Sequence, residues 1–209
     1  MIPSLAHVYL PILLCVQMSV WPQAPTPHYI AGLIEQETCI SLRHSKCWNP
    51  KAELKTSREY GYGLGQTTIA YRTDGSVRFN KQSELRQAHA SLRDWTFERR
   101  FDPKFQLTAI VEMTRGIWRR TTPAASTKDH WAFVLSAYNG GEAHVRRDRL
   151  LCRNTDGCDQ NKWFGNVEKH SVKSRQPWNG YGRSPYEINR GHVANVIGLR
   201  SVKYEPYWK

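Results

Sequence analysis

Residues 28 to 40 read HYIAGLIEQETCI. Ile30, Leu33, Ile34 and Glu37 fall at i, i+3, i+4 and i+7, the spacing of one helical face. Three of the four are aliphatic and the last is a carboxylate, while Glu35 and Gln36 supply the polar side. A buried carboxylate costs roughly several kcal/mol unless it is paired, hydrogen-bonded or protonated. Glu37 therefore either meets a partner from another element or is used for its raised proton affinity.

The punctuation around this helix is clear. Thr26-Pro27 reads as an N-cap followed by Pro at the first helical position. Asn49-Pro50 lies beyond the end, so SLRHSKCW is a loop that a Cys39–Cys47 bridge would tie. IAYRTDGSVRF, residues 69 to 79, has Asp74-Gly75 between two β-prone runs and predicts a hairpin. Asp102-Pro103 opens a helix with Leu107, Ile110, Val111, Thr114 and Trp118 as its buried stripe, ending at Thr122-Pro123. STKDHWAFVLSAYNGG gives another, with Trp131, Val134, Leu135 and Tyr138 on one face, closed by Asn139-Gly140-Gly141. A loop rich in Arg, Trp and Gly covers about 152 to 183. Ser184-Pro185 then starts a last helix with Val193, Val196 and Ile197 inward. The fold class is mainly α, helical with one small β-hairpin, in a single domain.

The 209 residues are 40% hydrophobic, enough for one sizeable core or two small ones. Eight Trp and ten Tyr suit a core and also a groove that stacks on rings. Thirty Lys plus Arg against 18 Asp plus Glu leave a net charge of +12, which favours polyanionic surroundings: nucleic acid, an anionic membrane or a bacterial wall. Residues 1 to 22 are apolar but lack the positive start and small-residue cleavage site of a secretory signal, and His7, Pro11 and Gln17 interrupt them. They are predicted to form a short helix packed on the body, with no stable membrane insertion.

Of five cysteines, Cys39/Cys47 and Cys152/Cys158 are close local pairs, leaving Cys15 over. An oxidising destination would allow both bridges, and a cytosolic one would leave five thiols. No Cys/His spacing resembles a zinc site, and neither metal nor cofactor is expected.

Four separated segments combine in order: IEQETC, NPKA, REYGYGLGQTT and SAYNGGEAHV. Together they resemble the goose-type lysozyme and soluble lytic transglycosylase superfamily. Its pattern is a helix ending in Glu-Ser, then Asn-Pro-x-Ala, Gly-x-Gly-Leu-x-Gln, and Ala-Tyr-Asn-x-Gly. Glu37-Thr38 stands for the Glu-Ser; Asn49, Pro50 and Ala52 match the second piece. Gly61, Gly63, Leu64 and Gln66 match the third; Ala137, Tyr138, Asn139 and Gly141 match the fourth. Gly65 stands where many members carry Met, and the late Glu-Thr and Tyr of the family are only partly met, by Glu187-Ile188 with His192 one position beyond the Tyr.

The resemblance implies a lysozyme-like α+β fold with the hairpin beside an active-site groove. Residues 1–25 would be a helical extension and 26–209 the catalytic domain. It implies a monomeric peptidoglycan-cleaving glycosidase that looks like a bacteriophage endolysin, made in the host cytoplasm and acting on the wall in the periplasm. Glu37 would be the acid, with Thr38, Gly63, Leu64, Gln66, Tyr138, Asn139 and Glu187 at the substrate.

Residue chemistry agrees. A glycosidase acid must keep its proton near neutral pH, and an apolar site raises a carboxyl pKa. Gly61, Gly63 and Gly65 would let backbone approach a sugar, and the Gln66 amide would bond an N-acetyl group in both directions. Hydrolysis by water normally uses two carboxylates, and transglycosylases of this family use one. No second family carboxylate is matched, with Glu53, Glu59 and Asp74 as the nearby acidic residues, so a transglycosylase is expected before a hydrolase. The different-class alternatives are a basic nucleic-acid binder, for which charges are scattered and no motif is present, and an inactive wall-binding module.

Overall fold

The structure is a computed structural model that describes residues 1–178 and 182–208. It is mainly α with a small antiparallel sheet. Its two compact units are Met1–Glu112 with the C-terminal residues from Lys203, and Met113–Val202. Residues 179–181 of the expected 152–183 loop lie outside the described residues.

In the first unit, α1 (Ser4–Val20) buries Ala6, Leu10, Leu13 and Val16, one helical face, and leaves Pro11 exposed. Buried Gln17 anchors it by donating to the Trp21 carbonyl at 2.6 Å and accepting from the Trp208 indole at 3.3 Å. The N-terminal segment is thus a packed helix, and no helix among the described residues is long and apolar enough to cross a membrane. Helix α2 (His28–Thr38) starts one residue later than the Pro27 start predicted. Thr26 has a left-handed φ of 46° rather than the extended backbone of a cap, and its carbonyl accepts from Tyr29 N–H at 3.2 Å. Ile30, Leu33 and Ile34 are fully buried, as their spacing requires.

The predicted hairpin is half of a four-stranded sheet in order β1-β2-β3-β4. Strands β3 (Thr67–Tyr71) and β4 (Val77–Asn80) flank the Asp74-Gly75 turn, where Gly75 takes φ 81°. Strands β1 (Glu53–Lys55) and β2 (Glu59–Tyr62) were not predicted. Helix α3 (Lys81–Ala88), also unpredicted, is capped by Asn80 accepting from Ser83 N–H at 3.1 Å. Helix α4 (Pro103–Arg120) starts where Asp102 accepts from Lys104 N–H at 2.9 Å. The division between units falls within it, after Glu112.

In the second unit, Ile117 is buried and Trp118, predicted inward, is half-buried and stacks on His130 at 3.5 Å between centroids. Helix α5 (Thr127–Gly140) is capped by Ser126 and ends at Gly141, φ 87°. All residues from Asp129 to Ala137 are buried, so the helix is enclosed rather than packed on the one face predicted. Helix α6 (Glu142–Arg153) follows, then a loop, and α7 (Pro185–Asn195), which continues as a π turn through Arg200. Val193, Val196 and Ile197 are buried as predicted. A buried ion pair braces this unit: Arg190 donates to Asp148 at 2.9 Å and to the carbonyls of Val167 and His170 at 3.0 Å each. Asp148 also accepts from Ser171 and from Val172 N–H.

Candidate active site

Glu37 lies in the last turn of α2. Desolvation pushes its carboxyl up to about 8, while the residue keeps part of its surface accessible. At pH 7 it therefore holds its proton. The other displaced carboxyls, Asp74, Glu98 and Glu187, move downward. Of the second-carboxylate candidates, exposed Asp74 is engaged in its own turn, accepting from Ser76 N–H at 2.8 Å and Ser76 Oγ at 2.6 Å. Glu53 accepts the Tyr60 hydroxyl, and Glu59 is an exposed strand residue.

Glu35 overturns its prediction. It is 1% exposed, not on a solvated face. Lys203 Nζ donates to one oxygen at 2.8 Å and Tyr204 OH to the other at 2.6 Å. Tyr204 OH also accepts from the Trp48 indole at 2.9 Å. The helix therefore has an apolar stripe wider than the i, i+3, i+4 pattern, because a distant cation makes Glu35 burial tolerable.

Thr38, expected at the substrate, is buried and its hydroxyl is engaged: it donates to the Ile34 carbonyl at 2.7 Å and accepts from Trp48 N–H at 3.0 Å. It braces the end of α2 against the loop closed by the Cys39–Cys47 disulfide, which is present along with Cys152–Cys158, leaving Cys15 free.

Gly61 and Gly63 have a packing reason that the sequence did not show. Gly63 has φ 75°, and a Cβ there would lie 2.4–2.6 Å from the Gln106 amide. Gln106 is buried and holds three segments. Its Oε1 accepts from Leu64 N–H, and its Nε2 donates to the carbonyls of Pro50 and Arg100, each at 2.8 Å. Gly63 N–H donates to Ala52 at 2.8 Å. So Gly63 is bare to admit a buried amide, and Leu64 is fully buried core. Gln66, φ 45°, folds over Gly61: its Oε1 would sit 3.0 Å from a Cβ there, and its Nε2 donates to Gly63 O at 3.0 Å. One N–H of that amide is already engaged within the loop. A chain of bonds thus joins α2, the Asn-Pro segment and the glycine segment through Thr38, Trp48 and Gln106. Gln106 was missed, although it lies four residues before Ile110; a polar residue on an apolar face is the signal that singled out Glu37.

In the second unit Tyr138 is half-buried and Asn139 exposed. Asn139 Oδ1 accepts from buried Asn189 at 2.9 Å. Asn189 also donates to Ser136 O at 3.0 Å and accepts from Ser136 Oγ at 2.8 Å and Arg190 at 2.9 Å. Glu187 closes a capping box on α7, accepting from Ser184 N–H at 2.8 Å while Ser184 Oγ accepts from its N–H at 3.2 Å. Ser184-Pro-Tyr-Glu187 carries that signature in the sequence. His192 is buried, and desolvation drives its pKa down to about 3. No family model matches this chain, and no curated protein matches it.

Proposed function

We propose that the protein cleaves the β-1,4 bond between N-acetylmuramic acid and N-acetylglucosamine in peptidoglycan, as a lytic transglycosylase that lyses the cell from the periplasmic side. The observation that carries this is Glu37, a carboxyl that desolvation keeps protonated up to about pH 8, at the helix end where the four-segment resemblance puts its acid. The +12 charge suits a polyanionic wall.

In this reading Glu37 gives its proton to the glycosidic oxygen as the C1–O bond breaks. The substrate's own acetamido oxygen closes on C1 to form an oxazolinium. Glu37, now a carboxylate, takes the proton of the 6-hydroxyl, whose oxygen attacks C1 and opens the oxazolinium to a 1,6-anhydro ring. The engagement of Asp74 in its turn and of Glu53 with Tyr60 favours this one-carboxylate route over hydrolysis.

Muropeptide mass spectrometry of a sacculus digest tests it. Products lighter by one water than hydrolysed ones are expected; reducing ends alone would make the enzyme a hydrolase. Glu37→Gln keeps the shape and removes the proton, so clearing of permeabilised Gram-negative cells should fall by about 10²–10⁴. Full lysis by that variant would overturn the assignment.

A further inference from the structure

Cys152 ends α6, Cys158 lies in the turn after it, and His170 comes from the loop beyond; their donor atoms all lie within 4.8 Å of one another. Cys158 Sγ is 3.3 Å from His170 Nδ1. The sequence spacing gave no hint of this, because His170 arrives by a fold-back and not by a short ligand interval.

We propose that the reduced pair Cys152 and Cys158, with His170, forms a zinc site, so that a disulfide and a bound metal are alternative staples for the end of α6. Zinc binds thiolate at about 2.3 Å and imidazole at about 2.0–2.1 Å in a tetrahedron. Those lengths put the two sulfurs about 3.8 Å apart and the nitrogen about 3.5 Å from each. The Cys158–His170 separation already fits, and the Cys152 and Cys158 Cα atoms are 5.3 Å apart. The sulfurs must part, and the His170 ring nitrogen must turn from the Asn166 carbonyl to the metal.

The scaffold is held on both sides. Cys158 N–H donates to Thr155 O at 3.1 Å, and Thr155 N–H to Cys152 O at 2.9 Å. His170 is fixed through its carbonyl by Arg190 at 3.0 Å. Asn166 Oδ1 accepts from Asp159 N–H at 2.9 Å, joining the two loops. His170 Nδ1 lies 2.9 Å from Asn166 O, so in the disulfide form the proton sits on Nδ1. Metal replaces that proton, and the neutral ring carries its hydrogen on Nε2. Cys158 and His170 are part-exposed, which leaves the fourth position to water.

The chemistry balances simply. A thiol or phosphine reductant supplies two electrons, and two protons come with them, opening the S–S bond to two thiols. Zinc then displaces both thiol protons and forms two Zn–S bonds, a neutral site with the imidazole. None of this depends on the reaction proposed for Glu37.

The test uses the full chain, oxidised and phosphine-reduced under anaerobic conditions. Zinc is titrated against a chromogenic chelator, and cobalt(II) reports sulfur ligation by its charge-transfer absorption. One equivalent should bind the reduced chain and none the oxidised chain. A chelator should lower the melting temperature of the reduced, zinc-loaded protein. Cys39→Ser with Cys47→Ser should keep the metal, and Cys152→Ser with Cys158→Ser should lose it. His170→Ala should weaken it about tenfold or more. Because the wild-type titration needs no variant to fold, no binding by the reduced wild type would overturn the proposal. So would loss in the Cys39/Cys47 variant, or unchanged affinity in His170→Ala.

Discussion

Each unit buries a titratable side chain in neutral form, and the two do so with opposite consequences. In the first unit Glu37 is desolvated up to about 8 yet stays part-exposed; in the second His192 is desolvated down to about 3 and is 4% exposed. Burial cost is common to both, so a perturbed pKa alone does not identify a working group. Exposure separates them as residues: Glu37 keeps part of its surface accessible, and His192 is buried. The scaffolds differ too. Thr38 and Gln106 hold the first unit's motif segments with uncharged groups, whereas Asn139 in the second is held through Asn189 and the Arg190–Asp148 ion pair.

The pH dependence of stability should expose the difference most strongly. Folded Glu37 keeps a proton that the unfolded chain has lost above 4.5, so stability falls as pH rises from about 4.5 to 8. Folded His192 refuses a proton that the unfolded chain takes below 6.5, so stability falls as pH drops from 6.5 towards 3. Glu37→Gln should remove the first limb and gain on the wild type as pH rises through that window, on the order of several kcal/mol at most. His192→Asn should flatten the second. Thermal melts of the three proteins across pH check both, and parallel curves would erase the contrast.

Asp148→Asn strands a buried Arg190 and should cost about 3–5 kcal/mol by urea unfolding. Gly63→Ala must fit a methyl against the Gln106 amide at positive φ, costing about 2–4 kcal/mol. In a Gln106→Ala background the added cost of that methyl should shrink, because the clash is gone; additive costs would show that the amide is not what Gly63 admits. Glu35→Gln keeps an acceptor for Tyr204 but loses the charge facing Lys203, which is itself partly solvated. A loss of about 1–2 kcal/mol is expected, against the negligible one its predicted solvated position implies.

Local signals were legible and long-range ones were not. The α2 stripe, the Asp74-Gly75 turn and the close of α5 at Gly141 follow from periodicity and left-handed glycine chemistry over a few residues. Strands β1 and β2 escaped because three exposed residues and a glycine-containing run carry no alternation. The burial of Glu35 depends on Lys203, 168 residues away, and nothing near Glu35 announces it. Gly63 was visible as a glycine, but its reason lies in Gln106 on another element. At Glu187 the resemblance drew the reading to the substrate, while the capping box that the structure shows was also legible in the sequence.

The anchoring of Glu35 by Lys203 and Tyr204 also sets a timetable. A ribosome makes α2 before those two side chains, with the whole of the second unit threaded out between them. Until then the buried carboxylate of α2 lacks its cation and Trp48 its hydroxyl, and closing so long a loop is slow. Residues 113–202 can assemble before the first unit receives the side chains that complete it. The helix that carries Glu37 is thus locked in place only after the second unit has been made.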